Sequence, residues 1–236
     1  MENLKKNEMD RFVVARRRMV EEQLIGRKIR DPRVLEAMGN LPRHEFVPDA
    51  LVDQAYGDYP VGIGQGQTIS QPYIVALMTE LMDLKGSERV LEIGTGCGYQ
   101  TALLARLAGQ IFTIERIKEL GFKARASLKQ LGLKNIVMRI GDGSHGWPEK
   151  APFDRILVAA GSPEIPMPLF QQLAEGGKLV VPVGPEDKQE LLLISKTDGQ
   201  MKTQNLGPCR FVRLVGSFGW GKAPQAGAQF KKRSLV

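Results

Sequence analysis

The segment VLEIGTGCGYQ has the residue types and spacing most suggestive of chemistry, because Gly94, Gly96 and Gly98 follow a short apolar run. Glycines in the turn between a strand and a helix let the backbone approach a ligand closely, and the helix N-terminus attracts polar or anionic groups. Tyr99 stands where a dinucleotide-binding motif has glycine or alanine, so the spacing argues against NAD. The segment therefore indicates a nucleotide-like ligand of another kind.

Three acidic residues accompany these glycines along successive predicted strands. Glu92 lies inside the first strand, where a carboxylate would repel a pyrophosphate but suit a cationic ligand. Glu115 ends the second strand, where it can accept hydrogen bonds from both hydroxyls of a ribose. Asp142 ends the third; it can accept from an adenine amino group, while Gly143 leaves room for the ring. S-adenosylmethionine, which has a sulfonium, an ammonium and no phosphate, fits this set. The alternative is that the glycines are only turn residues and the acids only helix caps.

A glycine-rich passage, YGDYPVGIGQGQTIS, precedes the first strand. Its glycine content predicts an irregular loop, and a loop of this length in a compact domain is usually functional. Ser70 at its end could cap a helix that carries Pro72 in the first turn. The Ser70 hydroxyl and the free N–H groups of that helix could then bind one oxygen of a carboxylate substrate. From local sequence alone, a purely structural N-cap is the simpler interpretation.

The elements that must position these residues alternate between strand and helix. RVLEIG, QIFTIE, NIVMRIG, DRILVAA and KLVVPVG are apolar runs typical of strands covered on both faces, and helical patterns such as TALLARLA separate them. This alternation predicts an α/β fold with a doubly wound parallel sheet. After the fifth strand, ELLLISKT, the turn Asp198-Gly199, QMKTQNL and CRFVRLVG predict antiparallel strands.

Two helices are predicted ahead of the glycine-rich passage. One amphipathic helix runs from Asp10 to about Ile25, and a short one begins with Asp31 as N-cap and Pro32 at the first helical position. We divide the single compact domain into residues 1–80 (helices and glycine-rich substrate loop), 81–220 (the cofactor-binding core) and 221–236 (a basic tail expected to be disordered). Deletion of residues 222–236 is expected to leave folding intact.

The composition bounds the class of protein. The chain has 236 residues, of which 42% are hydrophobic and 25% charged, which is typical of one globular domain. No stretch approaches the roughly 18 consecutive apolar residues of a membrane span, and no signal peptide is visible. We therefore expect a cytoplasmic protein without a membrane partner. The net charge of +7 owes much to Arg16-Arg17-Arg18 and Lys231-Lys232-Arg233, which we interpret as solvated surface rather than a nucleic-acid site.

Cysteine and histidine are scarce. Cys97 and Cys209 lack the spacing of a zinc site and are expected to be reduced, with Cys97 as a packing residue. His44 and His145 lie in no metal-ligand or triad pattern, so no metal is predicted. A carboxylate with a pKa near ~4 is ionised at pH 7 and can attack a methyl group without a general base. Methylation of a carboxylate therefore requires no catalytic histidine.

From about Ala15 to Trp220 the sequence resembles the protein-L-isoaspartate O-methyltransferase family. The segments that carry the resemblance are RMVEEQL, DPRVLEAM, PRHEFVPDAL, AYGDYP, GQTISQPYIVALMTELM, VLEIGTGCGYQTALLA, GDGSHGWPEKAPFD and FVRLVG. GQTISQP followed by the glycine motif is highly specific, whereas the glycine motif alone would indicate only the broad methyltransferase class.

The resemblance implies a Rossmann-like class I S-adenosylmethionine-dependent methyltransferase fold with an N-terminal helical addition. It also implies methylation of the α-carboxylate of L-isoaspartyl residues in damaged proteins, which starts repair through a succinimide. By position, Ser70 matches the active-site serine. With the patterns above, the candidate cofactor contacts are Gln67, Thr68, Ile69, Glu92, Gly94, Gly96, Gly98, Glu115, Asp142 and Gly143, and the candidate substrate contacts are Ser70, Ile63 and Val215.

Two positions depart from the family pattern. An extra proline is expected within Pro60-Val61-Gly62, and a proline is expected where Arg213 stands. Both lie near the expected peptide cleft, so they bear on peptide preference more than on the reaction. Two alternatives stand beside this interpretation: a methyltransferase of the same fold that acts on RNA or a small molecule, and a non-catalytic nucleic-acid-binding protein.

Overall fold

The computed structural model describes residues 11–221, so the predictions for Asp10 and for residues 222–236 lie outside it. The helices are α1 (residues 11–18), α2 (Pro32–Asn40), α3 (Pro72–Leu81), α4 (Tyr99–Leu107), α5 (Lys118–Gln130) and α6 (Met167–Gln171). The strands are β1 (Val61–Gly64), β2 (Gln67–Ile69), β3 (Arg89–Ile93), β4 (Gln110–Glu115), β5 (Ile136–Ile140), β6 (Phe153–Val158), β7 (Leu173–Val183), β8 (Gln189–Thr197) and β9 (Gln200–Cys209).

Seven of these strands form one sheet in the order β5-β4-β3-β6-β7-β8-β9. The first five are parallel, and β8 and β9 join antiparallel through the predicted turn at Asp198 and Gly199, whose φ angles are 54° and 71°. The predicted α/β class and the five apolar strands are confirmed. The strands read as continuous apolar runs because β3 and β4 are buried on both faces of the sheet.

The order of the strands determines where a ligand can bind. The chain moves outward from β3 through β4 to β5, and then returns to place β6 on the other side of β3. This reversal is a topological switch point, and ligands of open α/β sheets bind in the crevice at the carboxyl ends of the strands there. The glycine motif follows β3 directly, so it lies in that crevice.

The first predicted helix is wrong in part. The chain is α-helical through residue 18, but it continues as a π-helical turn at Met19–Leu24 and a 3-10 turn at Ile25–Arg27. The i→i+5 spacing of a π turn suits the burial of Met19 and Leu24, which are five positions apart and both fully buried. The second helix is as predicted, with the Asp31 side chain accepting from the amides of Arg33 and Val34.

The glycine-rich passage is not an irregular loop. It contains a hairpin, β1–β2, whose two-residue turn places Gln65 and Gly66 at φ 55° and 68°, as a type I′ turn requires. Val61 and Ile63 alternate with exposed glycines along β1. The density of glycine concealed this two-residue periodicity.

The predicted strand CRFVRLVG is also wrong. β9 ends at Cys209, and the residues after it form only isolated bridges, Gly161 with Arg213 and Val215 with Trp220. We call residues 211–220 the strap. The strap runs across the carboxyl end of the sheet, where the Gly161 amide donates to the Val212 carbonyl at 2.7 Å and the Leu214 amide donates to the Gly161 carbonyl at 2.8 Å.

The N-terminal helices pack on the same core as the sheet. Met19 and Met38 belong to one cluster of buried side chains with Val90, Ile111 and Val180. The N-terminal addition therefore covers one face of the sheet and can hold the β1–β2 hairpin against the carboxyl ends of its central strands. Within residues 11–221, no helix is both long and apolar enough to cross a bilayer.

Candidate active site

The three glycines in the loop after β3 have positive φ angles, which other residues adopt only at a cost in free energy. Gly94, Gly96 and Gly98 have φ angles of 92°, 56° and 92°. The Gly94 amide donates to the Ile114 carbonyl at 2.9 Å, which joins the loop to β4, and Gly98 is the N-cap of α4. The loop therefore turns tightly from the end of β3 into a helix N-terminus.

Glu115 holds this loop from the neighbouring strand. One of its carboxylate oxygens accepts from the Gly96 amide and the other from the Ile117 amide, both at 2.8 Å. The side chain is 6% exposed, and each oxygen retains a second lone pair for a ligand. The carboxylate is thus fixed in place and can still accept hydrogen bonds from two hydroxyls.

A cavity opens at the carboxyl ends of β3, β4 and β6; we call it the inner cavity. Its walls are the glycine loop, the residues after β4 and β6, the segment that ends at Ser70, and the strap. Of the predicted site residues, Gln67, Thr68, Ile69, Ser70, Gly94, Gly96, Glu115, Gly143 and Val215 line it. The other four, Ile63, Glu92, Gly98 and Asp142, lie around it without lining it.

A second depression, which we call the outer cleft, meets the inner cavity at Ser70. It runs between the start of α3 and the segment that links β9 to the strap, and it includes Gln71, Tyr73 and Arg210. Both spaces share Thr68, Ser70, Ala159, Phe211 and Val212. Ser70 therefore lies where the two spaces meet.

Ser70 is not the N-cap that its position suggested. The N-cap of α3 is Gln71, because Pro72 occupies the first helical position, and Gln71 makes no side-chain cap bond. The Ser70 carbonyl accepts from Arg43 at 2.6 Å, whereas the Ser70 hydroxyl has no hydrogen-bond partner among the described residues. This hydroxyl is available to a ligand.

Glu92 lies behind the glycine loop and is fully buried. Its carboxyl group accepts from the hydroxyls of Thr101 at 2.5 Å and Thr113 at 2.7 Å. Burial raises the pKa of Glu92 to about 8 even though these two hydrogen bonds oppose the rise. At pH 7 the group is mostly neutral, so the argument from its negative charge was wrong; direct contact with a cofactor stays a prediction.

Asp142 joins the sheet to the strap. Its side chain accepts from the Ser144 amide at 2.9 Å, the Ser144 hydroxyl at 2.7 Å and the Ser217 amide at 2.8 Å. Burial raises the pKa of Asp142, but these hydrogen bonds and nearby His145 outweigh burial, so the net shift is downward. Asp142 therefore remains ionised, and it also binds the strap through the Ser217 amide.

The glycine after Asp142 has a packing role as well. A Cβ atom on Gly143 would lie 2.5 Å from the Cγ2 atom of Ile93, so packing against Ile93 also requires a glycine here. Ile63 packs against the glycine loop after β3. Its Cδ1 atom lies 3.5 Å from the position that a Cβ atom on Gly96 would occupy. Both contacts shape the cavity wall.

The sequence patterns missed several lining residues. Ala159 and Ala160 follow β6, the strand beside β3, and Phe211 to Leu214 belong to the strap. The alanines could have been found from the strand order, since strands on both sides of a switch point contribute to the crevice. Within the strap, the sequence pointed to Arg213 and Val215 only through the family resemblance, because the contacts of the strap with the Gly161 and Asp142 regions join distant parts of the chain.

Cys97 also lines the inner cavity, as a free thiol. Burial raises the pKa of Cys97 to about 11, so the thiol is protonated at neutral pH and is a poor nucleophile. His44 stacks on Phe12, and its Nδ1 atom lies 2.8 Å from the Tyr56 hydroxyl. Neither residue offers catalytic chemistry here.

Comparison with known proteins gives one consistent result. A family model described as protein-L-isoaspartate(D-aspartate) O-methyltransferase matches residues 15–219. The protein-L-isoaspartate O-methyltransferase of Syntrophus aciditrophicus is 58% identical, over 90% of this chain and 99% of that protein. The corresponding protein of Geobacter metallireducens is 56% identical, over 89% and 98%.

Two solved structures agree with these relatives. A protein-L-isoaspartate O-methyltransferase aligns with a TM-score of 0.79 and 29% identity, covering 86% of this chain and 67% of that one. A Plasmodium falciparum protein-L-isoaspartate O-methyltransferase in complex with S-adenosyl-L-homocysteine aligns with a TM-score of 0.75 and 28% identity, over 85% and 98%.

The parallel sheet, the glycine loop at its switch point and the inner cavity together define a Rossmann-like, S-adenosylmethionine-dependent methyltransferase. Within that class, the chain belongs to the protein-L-isoaspartate(D-aspartate) O-methyltransferase family.

The buried carboxyl group of Glu92 yields a prediction about stability and pH. Its folded pKa of about 8 exceeds the ordinary value of 4.5, so its contribution to the free energy of unfolding is complete below pH 4.5 and is lost as the pH rises through 8. Glu92→Gln retains an acceptor for the threonine hydroxyls but does not titrate. Between about pH 6 and pH 8.5 the variant should gain roughly 2 kcal/mol of stability relative to wild type in urea unfolding.

The matched control for this experiment is Glu119→Gln, a change at an exposed position in the first turn of α5. Its stability relative to wild type should be nearly constant over the same pH range. Parallel curves for wild type and Glu92→Gln would show that the Glu92 carboxyl group does not change its protonation in this range.

Proposed function

We propose that this chain transfers a methyl group from S-adenosylmethionine to the α-carboxylate of L-isoaspartyl residues in damaged proteins, and that the ester then closes to a succinimide. The observation that carries the proposal is the position of Ser70, which lines both the inner cavity and the outer cleft. The inner cavity would hold the nucleoside, and the outer cleft would hold the peptide. A carboxylate that enters from the cleft would meet Ser70 where the two spaces join.

The residues around the inner cavity fit the cofactor. Glu115 offers free lone pairs to a ribose, and the positive-φ glycines Gly94 and Gly96 let the backbone approach closely. Gln67, Thr68 and Ile69 would form the wall on the substrate side. Gly98 would contribute as the N-cap of α4, and Asp142 would contribute by binding the strap at Ser217. When bound, S-adenosylmethionine supplies an electrophilic methyl group.

The protein's contribution to the reaction is mainly orientation. An isoaspartyl carboxylate is already ionised at pH 7, so no side chain needs to remove a proton. The free hydroxyl of Ser70 can donate to one carboxylate oxygen and leave the other to attack. A peptide bound between the strap and Thr68 would displace water from the junction, which would strengthen that hydrogen bond.

The outer cleft would hold the peptide on either side of the isoaspartyl residue. Pro60 lies in its wall, whereas Arg213 lines the inner cavity and is paired with Glu186. The departure at Pro60 therefore lies in the proposed peptide site, and the departure at Arg213 lies one residue from Val212, which lines both spaces. Ile63 and Val215 would contact the substrate through the walls at Gly96 and the strap. We place the activity in the cytoplasm, where the free thiols of Cys97 and Cys209 would stay reduced.

The decisive experiment supplies labelled S-adenosylmethionine with two matched peptides, one with an L-isoaspartyl residue and one with ordinary aspartate at the same position. Labelling of the isoaspartyl peptide alone is the expected result. Absence of labelling in a chain that binds the cofactor would refute the proposed substrate, and RNA would then be the next acceptor to examine.

Ser70→Ala should lower kcat for the isoaspartyl peptide by roughly 10- to 100-fold, because the carboxylate loses the group that orients it. The dissociation constant of S-adenosyl-L-homocysteine, measured by calorimetry, should change less than about twofold, since glycine-loop and Glu115 contacts are untouched. Ser127→Ala, on α5 and away from both spaces, is the control and should behave as wild type. Equal losses in kcat and cofactor affinity would remove Ser70 from the catalytic role.

Glu115→Gln tests the proposed contact between Glu115 and the ribose of the cofactor. An amide has one acceptor oxygen, so it cannot accept from both the Gly96 and the Ile117 amides and also from a ribose. A loss of about 1–3 kcal/mol should weaken S-adenosyl-L-homocysteine binding roughly 5- to 150-fold. Glu119→Gln, exposed on α5, should bind as wild type does. Equal affinity for both variants would exclude Glu115 as a cofactor contact.

A further inference from the structure

Arg43 is a buried cation without a carboxylate partner. It begins the 3-10 turn Arg43–Phe46, its side chain is fully buried, and none of the ion pairs among residues 11–221 includes it. Its guanidinium lies over the ring of Tyr99, 4.9 Å from the ring centroid, and its Nη1 atom is buried without a hydrogen-bond partner. Burial of a charge in this way is costly, and an apolar side chain of similar length would avoid the cost.

The arginine provides two short hydrogen bonds that an apolar side chain could not. Nε donates to the Ala55 carbonyl and Nη2 donates to the Ser70 carbonyl, both at 2.6 Å. Hydrogen bonds from a charged donor are about twice as strong as neutral ones, and the planar guanidinium fixes both directions at once. Arg43 therefore fastens the segment between β2 and α3 to the N-terminal addition.

The hydrogen bond from Arg43 is made in a segment that belongs to no regular secondary structure. Ser70 belongs to neither β2 nor α3, and its hydroxyl has no partner among the described residues. The next residue, Gln71, is held separately, because its side-chain nitrogen donates to the carbonyl of Asp58 at 2.9 Å and to its carboxylate at 2.8 Å. The backbone of Ser70 is thus held through its own carbonyl by Arg43.

We propose that Arg43 is a positioning residue that holds Ser70 at the junction of the inner cavity and the outer cleft; this role rests on the proposed function of Ser70. Arg43 does not line either space, so it acts through Ser70 and not on the substrate directly. Loss of the hydrogen bond to the Ser70 carbonyl would let the Ser70 backbone rotate. Even a small displacement of an orienting group lowers turnover strongly.

Arg33 provides a matched control, because it makes the same kind of connection elsewhere. Its guanidinium donates to the Leu84 carbonyl at 2.6 Å and to the Leu107 carbonyl at 3.1 Å, away from both spaces. Arg33→Met should lower the melting temperature, as Arg43→Met should, but it should leave kcat within about twofold of wild type. A purely structural arginine at position 43 would give this same pattern.

The test is a double-mutant cycle between positions 43 and 70, with kcat measured at saturating isoaspartyl peptide and S-adenosylmethionine. Arg43→Met should lower kcat roughly 10- to 100-fold in the wild-type background but less than about twofold when Ser70→Ala is already present. Binding of S-adenosyl-L-homocysteine should stay within about threefold of wild type. Arg43→Lys, which keeps the charge and one donor direction, should restore part of kcat.

Equal losses in both backgrounds, or an Arg43→Met enzyme with wild-type kcat, would overturn the positioning role. If Arg43→Met does not fold, Arg43→Lys in the same cycle decides the question, because it should show the same dependence on Ser70 with a smaller effect. If the wild-type protein does not label the isoaspartyl peptide, the proposed function fails and the role of Arg43 fails with it. Equal losses in an active enzyme would refute only the role of Arg43.

Discussion

The two amide hydrogen bonds accepted by Glu115 are the interaction on which the rest of the site depends. They hold the glycine loop after β3 and the start of α5 after β4 at a common point. A loop with three glycines at positive φ has high conformational entropy when free, so it needs an external partner to keep one shape. A carboxylate at the end of the adjacent parallel strand is that partner. The direction of α4 and one wall of the cavity follow from it.

The opposite wall comes from a different part of the chain. The β1–β2 hairpin brings Gln67 to Ser70 to the cavity, and the N-terminal helices share their apolar contacts with the sheet. The two walls of the inner cavity therefore come from different parts of the fold. The sheet and its loops form the walls of the inner cavity at the switch point, while the N-terminal addition and the strap would supply the parts that face a substrate. Selectivity for a carboxylate within a peptide would therefore depend mainly on these additions.

Sequence patterns predicted the sheet well because a strand that is buried on both faces has an uninterrupted run of apolar residues in its sequence. They also placed Glu115 correctly, since a strand end can be recognised locally. They failed where a property depends on distant partners. The charge of Glu92 depends on burial and on Thr101 and Thr113, and Asp142 contacts Ser217, which is far along the chain. The N-cap was misplaced by one residue because Pro72 fits the first helical position and shifts the cap to Gln71.

The thiol of Cys97, which is only partly exposed, has a consequence for the chemical stability of the protein. Peroxides attack the thiolate form of cysteine, and burial keeps the pKa of Cys97 at about 11, so little thiolate forms at cellular pH. A sulfenic or sulfinic acid at this position would place a bulky polar group inside the inner cavity. The low thiolate fraction that makes Cys97 a poor nucleophile would also slow its oxidation inside the cavity.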